Sequence, residues 1–290
     1  MAANYNYLGD VAGLVVVVTG GGTGLGLMIS KALALNGAKV YITGRRREKL
    51  EEAAKLVGNG NIIPIQGSVT SREDLQAAVD FITKDSGYID VLVANAGMTT
   101  YDSRPDARPK PTAQNTLSEI RDYYFNYRSA DVWKDCLETN TASVFTTSMA
   151  FLELLDAGNK QRAKDKPHSQ IITIGSVGGL TRFTDTFIYS ASKAGVHHLT
   201  KNLGAFLVPF DIRANIIAPA WFPSDMTVPV AKMFESTNGV MPRELVPQQR
   251  MGNEDELAGT LLYMVSRAGG YLNGAIIQLD GGFLSNHSGP

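Results

Sequence analysis

A tyrosine and a lysine four positions apart, Tyr189 and Lys193, carry the clearest chemical signal in the sequence. On a helix, side chains at positions i and i+4 share one face, with their Cβ atoms about 5–6 Å apart. An ammonium group beside a phenol stabilises the phenolate and so lowers the pKa of the tyrosine from about 10. The spacing therefore predicts a tyrosine that exchanges a proton with a carbonyl or an alcohol near neutral pH.

A glycine-rich segment follows the first apolar run, Val15–Val18, and precedes a helical pattern. Glycines let the backbone approach a ligand closely, and the free N–H groups at a helix N-terminus attract a pyrophosphate. The spacing is Gly20-x-x-x-Gly24-x-Gly26, which differs from the common Gly-x-Gly-x-x-Gly dinucleotide fingerprint. A glycine cluster can also be a simple turn, but its position between a strand and a helix predicts nucleotide binding.

The second apolar run, Lys39–Thr43, leads into three consecutive arginines, Arg45, Arg46 and Arg47. No acidic residue comes before Glu48. An acid at this strand end would bind the ribose 2′-hydroxyl of NAD, whereas arginine suits a 2′-phosphate. The alternative is a solvated basic helix start, but adjacent cations at a helix N-terminus are unfavourable without a compensating anion. The pattern therefore predicts NADPH as the cofactor.

The elements that must position these residues are short β-branched runs alternating with helical segments. The expected strands are Leu14–Val18, Lys39–Thr43, Asn61–Ile65, Val91–Ala94, Gln170–Ile174, Arg213–Ile217 and Ala275–Leu279. The expected helices are Leu25–Leu35, Arg46–Leu56, Arg72–Lys84, Val132–Leu155, Tyr189–Leu207 and Glu254–Val265. Continuous apolar strands separated by helices predict a parallel sheet covered on both faces. We therefore expect a single doubly wound α/β domain over residues 1–290, with about seven parallel strands.

Three segments interrupt this alternation: Thr99–Ala130, Gly158–His168 and Ala220–Gln249. Loops of that length in a compact domain are usually functional or disordered. The first is a long aromatic insertion whose late rings form either a substrate-stacking wall or an apolar helix face: Tyr123, Tyr124, Phe125 and Tyr127. The second is a charged loop. The third combines prolines with apolar side chains such as Trp221 and Phe222, which predicts a hydrophobic substrate lid that is mobile until ligands bind.

The composition indicates an ordinary globular protein, and nothing in it points to nucleic acid or a membrane. Of the 290 residues, 44% are hydrophobic and 19% are charged, and the formal net charge is -1. The chain starts without a secretory signal pattern, and the apolar run Leu14–Val18 is too short to span a bilayer. The single cysteine, Cys136, excludes an intramolecular disulfide and predicts a buried apolar side chain in a reducing, cytoplasmic setting.

Taken together, the motifs resemble those of the short-chain dehydrogenase/reductase family. They follow the family's order along nearly the whole chain: Thr19-Gly20-x-x-x-Gly24-x-Gly26, Asn95-Ala96-Gly97, Asn140, Ser176, Tyr189-x-x-x-Lys193, Pro219, Ser224-x-Met226 and Asp280-Gly281-Gly282. The resemblance implies a Rossmann-type fold in which Tyr189 is the general acid and Lys193 lowers its pKa and binds the nicotinamide ribose. It also implies that Ser176 orients a carbonyl and that Asn140 holds a water linking Lys193 to a proton relay. Hydride transfer needs these parts: an acid, a polarising donor and a held cofactor.

The resemblance and the motifs together assign the cofactor site to residues at the expected carboxyl ends of the strands. These are Gly20, Gly22, Thr23, Gly24, Leu25, Gly26, Arg45, Arg46, Ser68, Val69, Asn95, Ala96, Gly97, Tyr189, Lys193, Pro219, Ala220, Phe222, Ser224 and Met226. Several positions depart from the family pattern, among them Ala94, which replaces an asparagine often found before Asn95-Ala96-Gly97. Ser68 stands where many members carry an aspartate beside the adenine, and Ala220 stands where glycine usually follows Pro219.

The Tyr189–Leu207 helix also carries features that concern its surface. Its apolar residues extend beyond one narrow stripe, and the family usually assembles through this helix and its neighbour, so we expect a homotetramer or dimer that buries parts of Val132–Leu155 and Tyr189–Leu207. The adjacent His197 and His198 are expected to be surface or subunit-contact residues. No further ligands are spaced to complete a metal site with them, so no metal is expected.

The sequence thus predicts an NADPH-dependent reductase that converts a ketone of a fairly large apolar or aromatic small molecule to an alcohol. An alternative is an enzyme that keeps the cofactor site while its chemistry becomes isomerisation, dehydration or a pericyclic step. A redox-sensing binding protein is a third reading. The complete set of Asn140, Ser176, Tyr189 and Lys193 argues against both alternatives.

Overall fold

A seven-stranded parallel sheet lies at the centre of the computed structural model, which describes residues 8–100, 107–127, 129–163, 166–182 and 186–287. The strand order is β3-β2-β1-β4-β5-β6-β7, which confirms the predicted doubly wound Rossmann-type fold. The strands are β1 Val15–Thr19, β2 Lys39–Gly44, β3 Ile62–Gln66, β4 Val91–Ala94, β5 Gln170–Ile174, β6 Arg213–Pro219 and β7 Ile276–Leu279.

Helices cover both faces of the sheet because side chains alternate along each strand. On β1, Val16 and Val18 pack with the helices α1, α2 and α10, whereas Val15 and Val17 pack with α3, α7 and α8 on the opposite face. The helices in the described residues are α1 Gly24–Leu35, α2 Arg47–Val57, α3 Arg72–Asp85, α4 Leu117–Arg121, α5 Ala130–Leu137, α6 Ser143–Ala150, α7 Leu152–Gln161, α8 Phe187–Phe206, α9 Val228–Met233, α10 Glu254–Val265 and α11 Phe283–Asn286.

The direction of strand succession reverses at β1, which pairs with β2 on one side and β4 on the other. The loops that follow β1 and β4 therefore run in opposite directions and leave a crevice outside the carboxyl ends of these strands. In open α/β sheets, ligands bind at this switch point.

The predicted helix Val132–Leu155 is interrupted. After α5 the chain takes π-helical geometry over Glu138–Ala142, continues as α6, and breaks at Phe151, whose φ and ψ are -94° and 4°. The sequence offers no proline or glycine at either place. The fully buried Phe151 ring fills the core on the α3 side of the sheet, so tertiary packing decides the break.

The predicted loop Gly158–His168 is wrong in its first residues, because α7 continues to Gln161. Gly158 is a close-packing residue here and does not end the helix. A Cβ at Gly158 would lie 2.2 Å from the carbonyl oxygen of Ile89, so only glycine lets α7 approach that segment.

The two other irregular segments contain short helices of their own. In the aromatic insertion, α4 is followed by π geometry over Asp122–Tyr127, while residues 101–106 and 128 lie outside the described part. The segment Ala220–Gln249 contains α9 and two 3₁₀ turns and stays outside the sheet. Its Met241 and Val246 form a small separate core with Val177 and Phe283.

Candidate active site at the carboxyl edge of the sheet

One cleft of about 740 Å³ runs along the carboxyl ends of the strands. Every residue predicted to bind the cofactor lines this cleft, from Gly20 at the end of β1 to Met226 beyond β6. Ser176 lines it too, beside Tyr189 and Lys193. Asn140 is absent from the lining and lies behind the cleft wall, 1% exposed.

The glycine-rich turn is a cradle that side chains would fill. Gly20 and Gly24 have positive φ angles of 65° and 53°, which other residues rarely adopt. A Cβ at Gly26 would lie 2.1 Å from the carbonyl oxygen of Gly20. Thr23 precedes α1 without a side-chain cap, and the first turn of α1 holds no acid, so its positive end is available to an anion. The cradle therefore fits a dinucleotide pyrophosphate.

A side-chain brace fixes this turn to the loop after β4. The Thr19 hydroxyl oxygen accepts hydrogen bonds from the backbone N–H groups of Asn95 and Ala96, both at 3.0 Å. The Asn95 amide donates in return to the carbonyl oxygens of Thr19 and Gly20, at 2.8 and 3.2 Å. The role of Thr19 is missed by sequence reasoning, because a threonine that ends a strand has no distinguishing pattern.

The arginine cluster divides into two exposed cleft residues and one that lies outside the cleft. Arg45 and Arg46 line the cleft, and neither forms an ion pair within the described residues. Arg46 donates a long hydrogen bond of 3.4 Å to the Thr23 hydroxyl. Arg47 instead pairs with Glu51 at 2.8 Å along α2. The cleft end beside Arg45 and Arg46 therefore carries positive charge that the described residues do not neutralise.

Ser68 is held by groups of the protein itself. Its backbone N–H donates to the Asp74 carboxylate at 2.8 Å, and its hydroxyl lies 2.9 Å from the Thr70 hydroxyl. Asp74 on α3 thus fixes the chain after β3. A hydroxyl that already has a partner is a weaker ligand for an adenine amine than a free carboxylate would be.

Tyr189 and Lys193 lie one turn apart on α8, as predicted, and face the exit of β5. The Lys193 ammonium donates to the carbonyl oxygen of Ile174 at 2.9 Å and lies 5.7 Å from the centre of the Tyr189 ring. Ser176 follows β5 in extended conformation, and its hydroxyl oxygen accepts from the Gly178 N–H at 3.0 Å. The structure therefore brings all three groups to one end of the cleft.

The pKa values of this pair differ from the sequence-based expectation. Burial raises the pKa of the Tyr189 phenol above its ordinary value, and the hydrogen bond with Ser176 opposes this only partly. Burial also lowers the pKa of Lys193 to about 8. The prediction that Lys193 lowers the pKa of Tyr189 is therefore wrong for the protein by itself. Loss of hydration disfavours both charged forms, and the ammonium is hydrogen-bonded to a backbone carbonyl.

Asn140 sits in the π-helical segment, and its side chain holds two elements together. Its carbonyl oxygen accepts from the Met98 N–H at 2.8 Å, and its amide donates to the Met98 carbonyl oxygen and to the Ser192 hydroxyl, both at 3.0 Å. The Ser192 hydroxyl donates to the carbonyl oxygen of Tyr189 at 2.7 Å. Asn140 thus connects the loop after β4 to the turn of α8 that carries Tyr189. Its water-holding role stays a prediction.

Cys136 is fully buried, which confirms the expected packing role, and it belongs to the same network. The Asn140 amide lies 3.3 Å from its sulfur, which is 3.5 Å from the Ser192 hydroxyl. Burial raises the pKa of the thiol, so it remains protonated and unreactive.

The expected surface position of His197 is wrong, whereas His198 is exposed. His197 is 4% exposed, and its Nε2 accepts a hydrogen bond from the backbone N–H of Ser176 at 3.3 Å. Burial, together with the positive charge of Lys193, lowers the pKa of His197 to about 4. The sequence signal that could have found it is the interval of eight from Tyr189, which keeps both on one helix face.

Apolar side chains line the part of the cleft near Tyr189. Trp221 packs edge-on against Phe283, with ring centres 5.1 Å apart, and both line the cleft with Met98. Phe222 is 2% exposed, and a Cβ at Gly252 would lie 2.3 Å from its ring, so it anchors the segment to the body of the protein. The aromatic run of the insertion is absent from the cleft lining: Tyr123, Tyr124, Phe125 and Tyr127.

The cradle at the switch point, with a Ser–Tyr–Lys set facing it, defines a dinucleotide-dependent oxidoreductase site. The chain belongs to the short-chain dehydrogenase/reductase family, because the family model for short chain dehydrogenase matches residues 14–234. Family membership implies an NAD(P)(H) cofactor.

Known proteins resemble this chain over nearly its whole length. The short-chain dehydrogenase/reductase VdtF of Byssochlamys spectabilis is 46% identical and the alignment covers 96% of this chain and 94% of that protein. The short-chain dehydrogenase/reductase PhomF of Diaporthe leptostromiformis is 43% identical, with 95% and 93% covered. The solved Pseudomonas aeruginosa RhlG/NADP active-site complex superimposes with a TM-score of 0.79 at 28% identity, with 96% of this chain and 99% of that chain covered.

Neither a membrane span nor a metal centre is found among the described residues. Among them, no helix is long and apolar enough to cross a membrane. No group of three or more His, Cys, Asp or Glu side chains in the same residues is arranged to hold a metal ion.

Proposed function

We propose that this protein is an NADPH-dependent reductase that converts a ketone of a fairly large apolar or aromatic small molecule to an alcohol. The observation that carries the proposal is the convergence of Ser176, Tyr189 and Lys193 at the apolar end of a cleft whose other end holds the glycine cradle. The alternatives, an isomerase, dehydratase or pericyclase and a redox-sensing binding protein, have no need of this complete acid–base set.

The preference for NADPH rests on Arg45 and Arg46. A 2′-phosphate would supply the anion that these two guanidinium groups lack within the described residues, and arginine binds phosphate through paired hydrogen bonds. The glycine cradle and the N-terminus of α1 would hold the pyrophosphate. When bound, the reduced nicotinamide supplies a hydride.

Proton delivery falls to Tyr189. The raised pKa keeps its phenol protonated at neutral pH, which suits a general acid that donates a proton to a carbonyl oxygen as the alcohol forms. The Ser176 hydroxyl donates a hydrogen bond that orients the same oxygen. Lys193, held by the Ile174 carbonyl, favours negative charge developing on the phenol oxygen once the cleft is closed to water.

The substrate class follows from the lining of the cleft. Beside Tyr189, the side chains of Met98, Trp221 and Phe283 offer an apolar surface that suits a large apolar or aromatic substrate. A relative from Pseudomonas aeruginosa, 29% identical, is named a rhamnolipids biosynthesis 3-oxoacyl-[acyl-carrier-protein] reductase, which supports carbonyl reduction as the chemistry. Residues 220–249 would act as the lid over this surface.

Assembly into a homotetramer or dimer in the cytoplasm completes the proposal. Large apolar side chains are exposed on neighbouring helices: Trp133 and Leu137 on α5, Phe145 on α6 and Phe187 on α8. A second copy would cover them.

The test is NADPH consumption with a panel of ketones of increasing size, measured for the native protein and for Tyr189→Phe. The substitution removes the proton donor and keeps the ring, so we expect kcat to fall at least about 10²-fold with little change in NADPH affinity. Near-normal reduction by the variant would contradict the role of Tyr189. Tight NADPH binding without turnover of any ketone would favour the binding protein, and NADPH-independent conversion of a substrate would favour the isomerase class.

A further inference from the structure

We propose that His197 is a positioning residue that holds Ser176 against the general acid through the backbone N–H of the serine. This inference rests on the proposed ketone reduction, in which Ser176 orients the carbonyl. It adds to the reaction a buried imidazole that lies outside the lining of the cleft. Its position is one turn beyond Lys193 and two turns beyond Tyr189 on α8.

The face of α8 that carries Tyr189 is fastened to β5 and its exit at three successive levels. The Lys193 ammonium donates to the carbonyl oxygen of Ile174 at 2.9 Å. The His197 Nε2 accepts from the N–H of Ser176 at 3.3 Å. The Thr200 hydroxyl donates to the Thr173 hydroxyl at 2.9 Å. Of these three hydrogen bonds, only the one that His197 accepts is made to Ser176 itself. It ties the serine backbone to α8, in addition to the side-chain hydrogen bond between Ser176 and Tyr189.

The hydrogen bond defines the state of the imidazole. A nitrogen that accepts an N–H carries no proton, so the neutral ring carries its proton on Nδ1. Nδ1 is buried and has no hydrogen-bond partner among the described residues. A buried donor without a partner is unfavourable, and an apolar side chain would pack in the same place without that penalty. The acceptor at Nε2 is therefore the reason for a histidine at this position.

Gly175, the residue before Ser176, leaves space for the imidazole of His197. A Cβ at Gly175 would lie 2.1 Å from His197 Nε2, so glycine leaves the room in which the ring reaches the serine N–H. The Ser176 N–H donates to His197, its hydroxyl oxygen accepts from Gly178 at 3.0 Å, and its carbonyl oxygen accepts from the Gly179 N–H at 3.0 Å, so the contact with His197 alone holds the peptide before the serine by its N–H. Loss of this contact leaves the peptide before Ser176 free to tilt and moves the hydroxyl away from the carbonyl it orients.

The experiment compares His197→Leu, which removes the acceptor, with His197→Gln, whose side-chain oxygen can accept the same N–H. We expect His197→Leu to lower kcat about tenfold, since small displacements of a positioning group have effects of this order or larger. NADPH Kd should stay within about twofold, and His197→Gln should recover most of the lost kcat. His198→Leu, at the exposed neighbour, is the matched control and should behave as the native protein.

A readout independent of activity is the imidazole ¹⁵N spectrum of the native protein, together with hydrogen exchange at the Ser176 amide. We expect the Nδ1–H tautomer, and protection of the amide in the native protein and His197→Gln but not in His197→Leu. An Nε2–H tautomer in the native protein would overturn the proposal even if the variants fail to fold. Equal kcat losses in the two variants would also overturn it. If the native protein reduces no ketone while the tautomer and amide protection are as expected, the proposed reaction is wrong and the contact stands.

Discussion

The two ends of the cleft are built differently. At the cofactor end, between β1, β2 and β4, the surface is mostly backbone: glycines at Gly20, Gly24 and Gly26, a helix N-terminus, and the brace between Thr19 and Asn95. At the substrate end, the surface is mostly side chain, carried by short helices and turns outside the sheet. Trp221 and Phe283 there belong to a small separate core around Met241 and Val246.

This difference separates two kinds of recognition. A backbone cradle binds what all dinucleotides share, and a single added methyl group is enough to fill it. A side-chain surface on irregular elements can change its shape by substitution without disturbing the sheet. We therefore expect substitutions at the cofactor end to abolish binding, and substitutions at the substrate end to change selectivity.

The largest effect is expected from Gly26→Ala. The new Cβ would lie 2.1 Å from the Gly20 carbonyl oxygen, so the cradle must open, at about 3 kcal/mol or more of cofactor binding, roughly 100-fold in Kd. Titration of NADPH by fluorescence measures it. The control is Gly259→Ala on α10, where a Cβ meets nothing within 4 Å and binding should be unchanged. A normal Kd for Gly26→Ala would show that the cradle is not the pyrophosphate site.

Arg45→Asp tests the charged part of the cofactor end. Loss of a charge-assisted hydrogen bond to a 2′-phosphate should weaken NADPH binding by about 1.5–3 kcal/mol and leave NADH binding nearly unchanged. Arg47→Asp is the matched control, because Arg47 pairs with Glu51 outside the cleft. Equal use of NADH and NADPH by the native protein would refute the 2′-phosphate assignment.

Lys193 lies where the two ends of the cleft meet, and Lys193→Met tests how much its buried charge costs in folding stability. Because the folded-state pKa of about 8 lies below the unfolded value of 10.5, the charged lysine destabilises the fold fully below pH 8, and the effect disappears between pH 8 and 10.5. The shift in pKa corresponds to a destabilisation of the folded state by about 3 kcal/mol, which the variant removes. The variant also loses about 1 kcal/mol of stability with the hydrogen bond to Ile174. We expect a variant about 2 kcal/mol more stable at pH 7 in thermal unfolding without cofactor. Lys201→Met, exposed on the same helix, should show no such gain.

The smallest effect is expected from Trp221→Ala at the substrate end. Removing about 50 Å² of apolar contact corresponds to about 1 kcal/mol, so KM for bulky ketones should rise about fivefold while KM for small ketones changes little. Tyr271→Ala, which removes a fully exposed ring outside the cleft, is the control and should change neither KM. Hydrogen exchange over 220–249 should slow on ligand binding. Unchanged exchange, with equal effects on small and large ketones, would mean ordinary packing instead of a lid.

The cofactor end was predictable from the sequence because its determinants are local. Apolar runs place the strands to within about two residues, and the order of strand, glycines and helix places the cradle. The π-helical segment around Asn140 was not predictable, because no residue type marks it. The predicted start of the charged loop at Gly158 is wrong, since the sequence does not show that the Ile89 backbone packs against this residue inside α7. The surface position predicted for His197 is wrong because residue type alone does not reveal which helix face is buried.

The π-helical segment Glu138–Ala142 also fixes the number of residues that must lie between α5 and α6. One residue more than an α-helix needs is accommodated there, and each residue of an α-helix turns the axis by roughly 100°. Deleting one residue from this segment would regularise the helix and rotate α5 against α6 by that angle. The Asn140 amide would then leave Met98 and Ser192. A homologue with a one-residue gap at this position is therefore expected to have lost these contacts, however well its remaining residues align.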